Sequence, residues 1–267
     1  MISKNIFQRV LGATGISISA LGLGTVKLGR DQSVKYPSGF TIPSDAEAAN
    51  LLAAATDLGI NLLDTAPAYG VSEERIGKLL QGQRHQWVIC TKAGEEFDNG
   101  QSHYNFSAAY IRQSVERSLR RLQTDVIDIV LIHSDGNDIA IIEEHGALAT
   151  LTQLKQEGLI RAIGMSTKTV AGGLLAAQHS DCVMVTYNLQ QPQEQPVLDY
   201  CLTNNKGVLL KKVFASGHLV NKAGSNALEQ SLRFVFSHSA VSSAIVGTIN
   251  PTHLRDNVDT ALRCCSN

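Results

Sequence analysis

Short apolar, β-branched runs along the chain alternate with longer stretches whose apolar positions recur at helical spacing, the pattern of strand-helix units around a parallel sheet. The short runs are ISALGLGT (18–25), INLLDTA (60–66), WVICTKA (87–93), VIDIVLIH (126–133), IRAIGMS (160–166), CVMVTYN (182–188), GVLLKKVF (207–214) and SAIVGT (243–248), eight in all. Ser44 and Glu47 have capping-box spacing at the start of the first helix, Leu51, Ala55 and Leu58 form its apolar stripe, and Gly59 ends it. The third helix sets Ile111, Val115, Leu119 and Leu122 on one face, with Arg112, Arg117, Arg120 and Arg121 largely on a solvated one. Later helices are predicted over 143–158, 169–179, 194–205, 227–239 and 251–262, with no linker or low-complexity tract between them. The expected fold is a single 1–267 domain of the α/β class, a (β/α)8 TIM barrel with eight βα units over 20–267 and functional groups at the C-terminal ends of its strands. An open doubly wound sheet is the alternative, and it rarely needs eight regular repeats. Residues 1–19 alternate around Gly12 and Gly15, which predicts an N-terminal β-hairpin placed to plug the bottom of the barrel.

Composition narrows the partners. Hydrophobic residues make up 43% of 267 and charged ones 18%, enough apolar material for a large core without metals or disulfides. Lys and Arg number 23 against 24 acidic residues with no basic block, which argues against nucleic acid and anionic membrane surfaces and leaves a small neutral or anionic ligand. No apolar run approaches a membrane span and the N-terminus lacks a signal-peptide core, so the expectation is a cytoplasmic protein. The five cysteines, Cys90, Cys182, Cys201, Cys264 and Cys265, show no CxxC or ligand spacing and read as reduced thiols, the last two exposed; no metal set emerges. No exposed apolar stripe demands a partner, so a monomer or weak homo-oligomer is expected.

The predicted strand ends carry the chemistry. Asp64 follows the second strand, Lys92 the third and His133 the fourth, with Tyr69 on the loop leaving the second. Singly, these read as a turn cap, a surface charge and a core imidazole. Neighbouring strands lie about 4.8 Å apart, so together they converge on one quadrant of a barrel mouth. Such a set suits a proton donor: a phenol with a pKa near 10 needs a nearby ammonium to lower it, a role for Lys92, while Asp64 holds the lysine and His133 orients a carbonyl oxygen. No nucleophile stands beside His133 except Ser134, so acyl transfer is unsupported. A Schiff-base aldolase using Lys92 needs that lysine desolvated, and Asp64 with Tyr69 would keep it charged.

NLLDTAPAYG (61–70), ICTKAG (89–94), LQTDVIDIVLIHSD (122–135) and LIRAIGMS (159–166) resemble the successive motifs of the aldo-keto reductases, and LGATGISISALGLGT (11–25) resembles that family's N-terminal hairpin and first strand. The resemblance runs from about residue 8 to the last helix. It implies a barrel oxidoreductase that uses NADPH, with NADH as the alternative, and no metal or flavin, to reduce aldehyde or ketone carbonyls or oxidise the matching alcohols. The implied catalytic residues are Asp64, Tyr69, Lys92 and His133, with Tyr69 protonating the carbonyl oxygen. A second implied reading is a catalytically weak subunit that binds the nicotinamide cofactor as a sensor or partner.

No GxGxxG follows the first strand, so a Rossmann site is not indicated. The resemblance puts Gly24, Thr25 and Asp64 at the nicotinamide end. Where the family has a Ser-Asn pair, a Gln and an aromatic residue around the nicotinamide, this chain has Ser166 with Thr167, Met184 and Lys211. Lys211 and Lys212 are candidates for the pyrophosphate, with Val213, Phe214 and Ser216 beyond them. Gly247, Thr248 and Asn250 precede Pro251 at a helix start whose free amides suit an anion, Asp256 and Asn257 match the adenine-contacting end, and His253 and Arg255 are the remaining basic groups. The longest strand-helix connection, after the third strand, offers Phe97, Tyr104 and Phe106 as walls for a small carbonyl substrate.

Overall fold

The computed structural model describes residues 8–34, 36, 39–217 and 225–265; the ends of the expected 1–267 domain, including the first residues of the predicted hairpin, lie outside them. The hairpin pairs β1 (Gln8–Val10) with β2 (Ser17–Ser19). Eight strands then close a parallel barrel: β3 (Leu21–Gly24), β4 (Leu62–Asp64), β5 (Val88–Ala93), β8 (Ile127–His133), β9 (Ile160–Ser166), β10 (Cys182–Thr186), β11 (Gly207–Lys211) and β12 (Val241–Val246), joined around the ring in that order, β12 returning to β3. The helices between them are α1 (Asp45–Asp57), α2 (Ser72–Leu79), α3 (Ala108–Leu122), α4 (Asp138–Glu143), α5 (Ala147–Gln156), α6 (Val170–His179), α7 (Gln195–Thr203), α8 (Ser225–Phe236) and α9 (Pro251–Cys265). The (β/α)8 barrel with its N-terminal hairpin is the fold expected from the alternation. Among the described residues no helix is long and apolar enough to cross a membrane.

Local chemistry sets the element ends. The Ser44–Glu47 capping box forms: the Ser44 amide donates to Glu47 Oε2 at 2.8 Å and the Glu47 amide to Ser44 Oγ at 3.3 Å. Ile111, Val115 and Leu122 of α3 are buried. Its arginines do more than meet solvent: Arg112 grips Glu157 at the end of α5 through both terminal nitrogens, and Arg121 pairs with Glu73 and Glu74 of α2. The helix expected over 143–158 starts only at Ala147 as α5, because Gly146 takes a left-handed φ of 63° and separates it from the unexpected α4, whose last residue is Glu143. The longest strand-helix connection is 25–44 after β3; the one after β5 spans 94–107 and folds into a second hairpin, β6 (Glu95–Asp98) with β7 (Gln101–Tyr104). Cys264 and Cys265 are half-buried at the end of α9 instead of exposed.

Inside the barrel, period-two alternation stacks side chains upward. Leu62, Val88, Cys90, Ile129, Leu131, Cys182, Met184 and Leu209 fill the lower and middle interior. The hairpin's Leu11, Ile16 and Ile18 join the same cluster from below, so the hairpin closes the bottom. Gly12 makes this seating possible: its φ is +51°, and a Cβ there would meet the Gly207 amide nitrogen at 2.5 Å. One step up the alternation the apolar residues give way to Asp64, Lys92, His133, Ser166 and Lys211. The hairpin therefore seals one end while polar groups crowd the other.

Candidate active site

Asp64 closes β4, and the chain turns at once through Pro67–Tyr69, where the Tyr69 amide bonds the Ala66 carbonyl at 2.9 Å. Gly70 follows at φ +61° with its backbone against Gly29, where a Cβ would stand 2.2 Å from the Gly29 carbonyl oxygen, and Arg30 donates to the Ala68 carbonyl at 3.0 Å. These contacts hold Tyr69 over the strand ends. Its hydroxyl lies 3.5 Å from Asp64 Oδ2. Lys92 Nζ donates to Asp64 Oδ1 at 2.5 Å and to the Thr65 carbonyl at 2.9 Å, and sits 4.7 Å from the centre of the Tyr69 ring. The His133 ring meets the Tyr69 ring edge-on at 6.4 Å. The four residues expected to converge do share one corner of the mouth.

Electrostatics there differ from the sequence expectation. Lys92 was expected to lower the Tyr69 phenol; burial, with the Asp64 carboxylate beside it, pushes the phenol above its ordinary value, and the ammonium offsets only part of that rise. For Lys92, burial is the largest single pull and acts downward, but the Asp64 carboxylate together with Tyr69 and Cys90 outweighs it, so the ammonium stays charged. This removes Lys92 as a Schiff-base amine.

Sequence reasoning passed over Glu95, on β6. Its Oε2 stands 2.7 Å from His133 Nδ1, a nitrogen with no aligned hydrogen bond. Burial alone would raise this carboxyl, yet the imidazole contact holds it down at about 2, while burial keeps His133 below its usual range against that pull. The acidic pair after Lys92 in KAGEE was the available signal.

Asp64, Tyr69, Glu95 and His133 line a cleft of about 1070 Å³ over the strand ends. Of the residues assigned to cofactor, Gly24, Lys211, Lys212, Val213 and Phe214 line it, as do Gly247, Thr248, His253, Asp256 and Asn257. Thr25 does not: it is fully buried, its amide and hydroxyl both on the Asp64 carbonyl at 2.9 Å. Met184 lies one layer down in the apolar interior, because the inward positions of β10 are still below the mouth at that register. Ser166 is buried beneath Lys211. Asn250 turns back on its own helix, Oδ1 accepting from the Thr252 amide at 2.9 Å and the His253 amide at 3.4 Å, so those α9 amides are already occupied. Ser216 falls in the turn Ala215–Gly217, its side chain outside the described ones. Lys211 and Lys212 do not act as a pair: Lys211 turns inward, and Lys212 takes a φ of +55° with its carbonyl bonded by Asn188 Nδ2 at 2.9 Å.

Of the expected substrate walls, Tyr104 lines the cleft. Phe97 lies under the Arg30 guanidinium at 3.3 Å, and Phe106 is buried against Gly94. Lys27, Arg30 and Tyr36, from the 25–44 connection, line it instead, and Lys27 sits 4.3 Å above the Tyr36 ring.

A model described as the Aldo/keto reductase family matches residues 20–227. A solved structure of a Pseudomonas aeruginosa protein assigned to the aldo-keto reductases is similar at a TM-score of 0.88 and 54% identity, over 96% of this chain and 94% of that one. The Bacillus subtilis oxidoreductase YqkF, itself uncharacterized, is 28% identical over 95% of this chain and 90% of its own length. D-threo-aldose 1-dehydrogenase of a Pseudomonas species is 32% identical over 78% of this chain and 69% of its own.

Proposed function

Since the chain belongs to the aldo/keto reductase family, whose members carry out carbonyl oxidoreduction, we propose that it reduces small aldehydes and ketones with a nicotinamide dinucleotide, Tyr69 serving as the proton donor. The observation that carries this reading is the Tyr69–Asp64–Lys92–His133 corner, in which a neutral phenol faces an open cleft with a fixed ammonium behind it.

The cleft suits such a cofactor on its own features. About 1070 Å³ exceeds the roughly 300–1,000 Å³ of ordinary small-molecule sites, leaving room for a dinucleotide with substrate. Thr167 Oγ1 is buried there without a partner, a hydroxyl for a carboxamide. Gly24 and Gly247 leave bare backbone on the wall, and Lys27, Arg30 and Lys212 face the cleft with positive charge for a pyrophosphate. When bound, the reduced nicotinamide supplies hydride to the carbonyl carbon.

The chain's own residues handle the oxygen. Tyr69 gives its proton to the carbonyl oxygen, and burial keeps the phenol protonated throughout the neutral range, the state a donor needs. Lys92 steadies the phenolate left behind, Asp64 anchors Lys92, and His133, braced by Glu95, directs the oxygen toward the phenol. Reaction in the oxidative direction needs the phenolate, so it should quicken as pH rises, while reduction stays level between about pH 6 and 8.

His253 is the basic side chain of α9 that lines the cleft, beside the acidic Asp256. With no guanidinium or ammonium of α9 lining the cleft among the described residues, discrimination between NADPH and NADH should stay within about tenfold, or roughly 1.4 kcal/mol. Parallel fluorescence titrations check this. The decisive test is Tyr69→Phe: carbonyl reduction should fall by about 10²–10⁴, with cofactor affinity within about twofold of the parent. Retained turnover in that variant refutes the proton-donor role.

A further inference from the structure

The cleft holds an amine that the proposed reaction does not use. Lys211 ends β11 half-buried in the cleft wall, and its Nζ donates to Ser166 Oγ at 2.8 Å and to the Thr167 carbonyl at 2.7 Å. Thr167 is itself fixed, its amide bonded to the Met184 carbonyl at 3.1 Å. A neutral amine has two N–H bonds and one lone pair, so these two acceptors take both hydrogens and leave the lone pair as the open position. Among the described residues no carboxylate grips this nitrogen in the way that Asp64 grips Lys92. Glu194 lines the same cleft, nine-tenths buried, with Oε2 lacking any partner.

We propose that Lys211 is an amine nucleophile, and that small aldehydes entering the cleft condense with it to a reversible imine. The charges around it set its state. Burial, then the ammonium groups of Lys212 and Lys92, push Lys211 down to about 7 against the weaker opposing pull of Glu194 and Asp138. About half the molecules carry the free amine at pH 7, against on the order of one in 10³ for an ordinary lysine.

In the first step the Nζ lone pair forms a bond to the carbonyl carbon and the carbonyl oxygen takes up a proton, giving a carbinolamine. The C–O bond then breaks, and the oxygen departs as water with the two hydrogens the amine has lost. Glu194, in the same cleft and with its carboxyl raised by burial, is the group assigned to pass those protons. The condensation is redox-neutral and needs no reactant besides the aldehyde. An imine has no oxygen for Tyr69 to protonate, so an aldehyde held on Lys211 is withdrawn from reduction until water releases it.

The test is reductive trapping. Cofactor-free protein at pH 7 is treated with propanal and sodium cyanoborohydride, and propylation at each lysine is followed by peptide mass mapping. The thousandfold difference in free amine, discounted for a walled position, leaves Lys211 labelled at least about tenfold faster than any other lysine, and unfolding in urea should erase the preference. Lys211→Arg should remove the fast-reacting site, with circular dichroism checking its fold. The proposal is overturned if label spreads over surface lysines with Lys211 at or below their rate. It is equally overturned if the preference persists in urea, or if a fast site survives in Lys211→Arg.

Discussion

Replacing Lys92 by Met tests the geometry of the corner without relying on any assay of turnover. In the parent, Nζ stands 2.5 Å from Asp64 Oδ1 and 2.9 Å from the Thr65 carbonyl, with side-chain exposures of 1% for Lys92 and 6% for Asp64. Methionine fills a similar volume but leaves the Asp64 carboxylate buried without its cation, its 3.5 Å contact to Tyr69 being a weak substitute. Breaking a buried pair from one side costs about 3–5 kcal/mol, and the orphaned Thr65 carbonyl adds roughly 1 kcal/mol or more. The expected loss is therefore about 4–6 kcal/mol. Urea unfolding followed through the single tryptophan, Trp87, which is 3% exposed, gives the free energy and shows whether the m-value holds. Asp64→Asn with Lys92→Met should regain most of the loss, because no unpaired charge remains, and the cycle isolates the coupling. A loss below about 1 kcal/mol for Lys92→Met, or a double variant as weak as the single, would refute the buried pair.

Other outcomes follow from single contacts. Glu95→Gln should flatten the acid limb of stability: the folded carboxyl sits at about 2 against an ordinary 4.5, so its contribution is complete above about pH 4.5 and lost as pH falls toward 2, at most about 3 kcal/mol, measured as urea midpoints across that window. Gly12→Ala forces a left-handed φ on a residue whose Cβ would press the Gly207 backbone, and a calorimetric drop equivalent to more than about 2 kcal/mol is expected; an unchanged transition would mean the hairpin is not seated there. Asn250→Ala removes the acceptor of two α9 amides and should cost about 1 kcal/mol, a fall of roughly 2–4 °C in Tm.

Sequence by itself carried the barrel and the corner. Alternation of strand and helix periods depends on neighbours a few positions apart, and so does the step-by-two rise from Val88 and Cys90 to Lys92, or from Ile129 and Leu131 to His133, that brings polar groups to the strand ends. The capping box at Ser44 and the glycines at positions 12 and 59 are equally local. Tertiary structure alone decided what those groups experience. The direction of the Tyr69 shift depends on how much water the assembled cleft removes and on which charge lies nearer, and neither is written in NLLDTAPAYG. Glu95 reaches His133 because the 94–107 connection folds back as a hairpin. Two adjacent lysines, alike in sequence, part company because Lys211 still obeys the inward alternation of β11, where Ser166 and Thr167, 45 and 44 positions away, take its hydrogens, while Lys212 begins the turn out of the barrel. Desolvation and contacts across such separations are properties of the closed ring, and no window of sequence contains them.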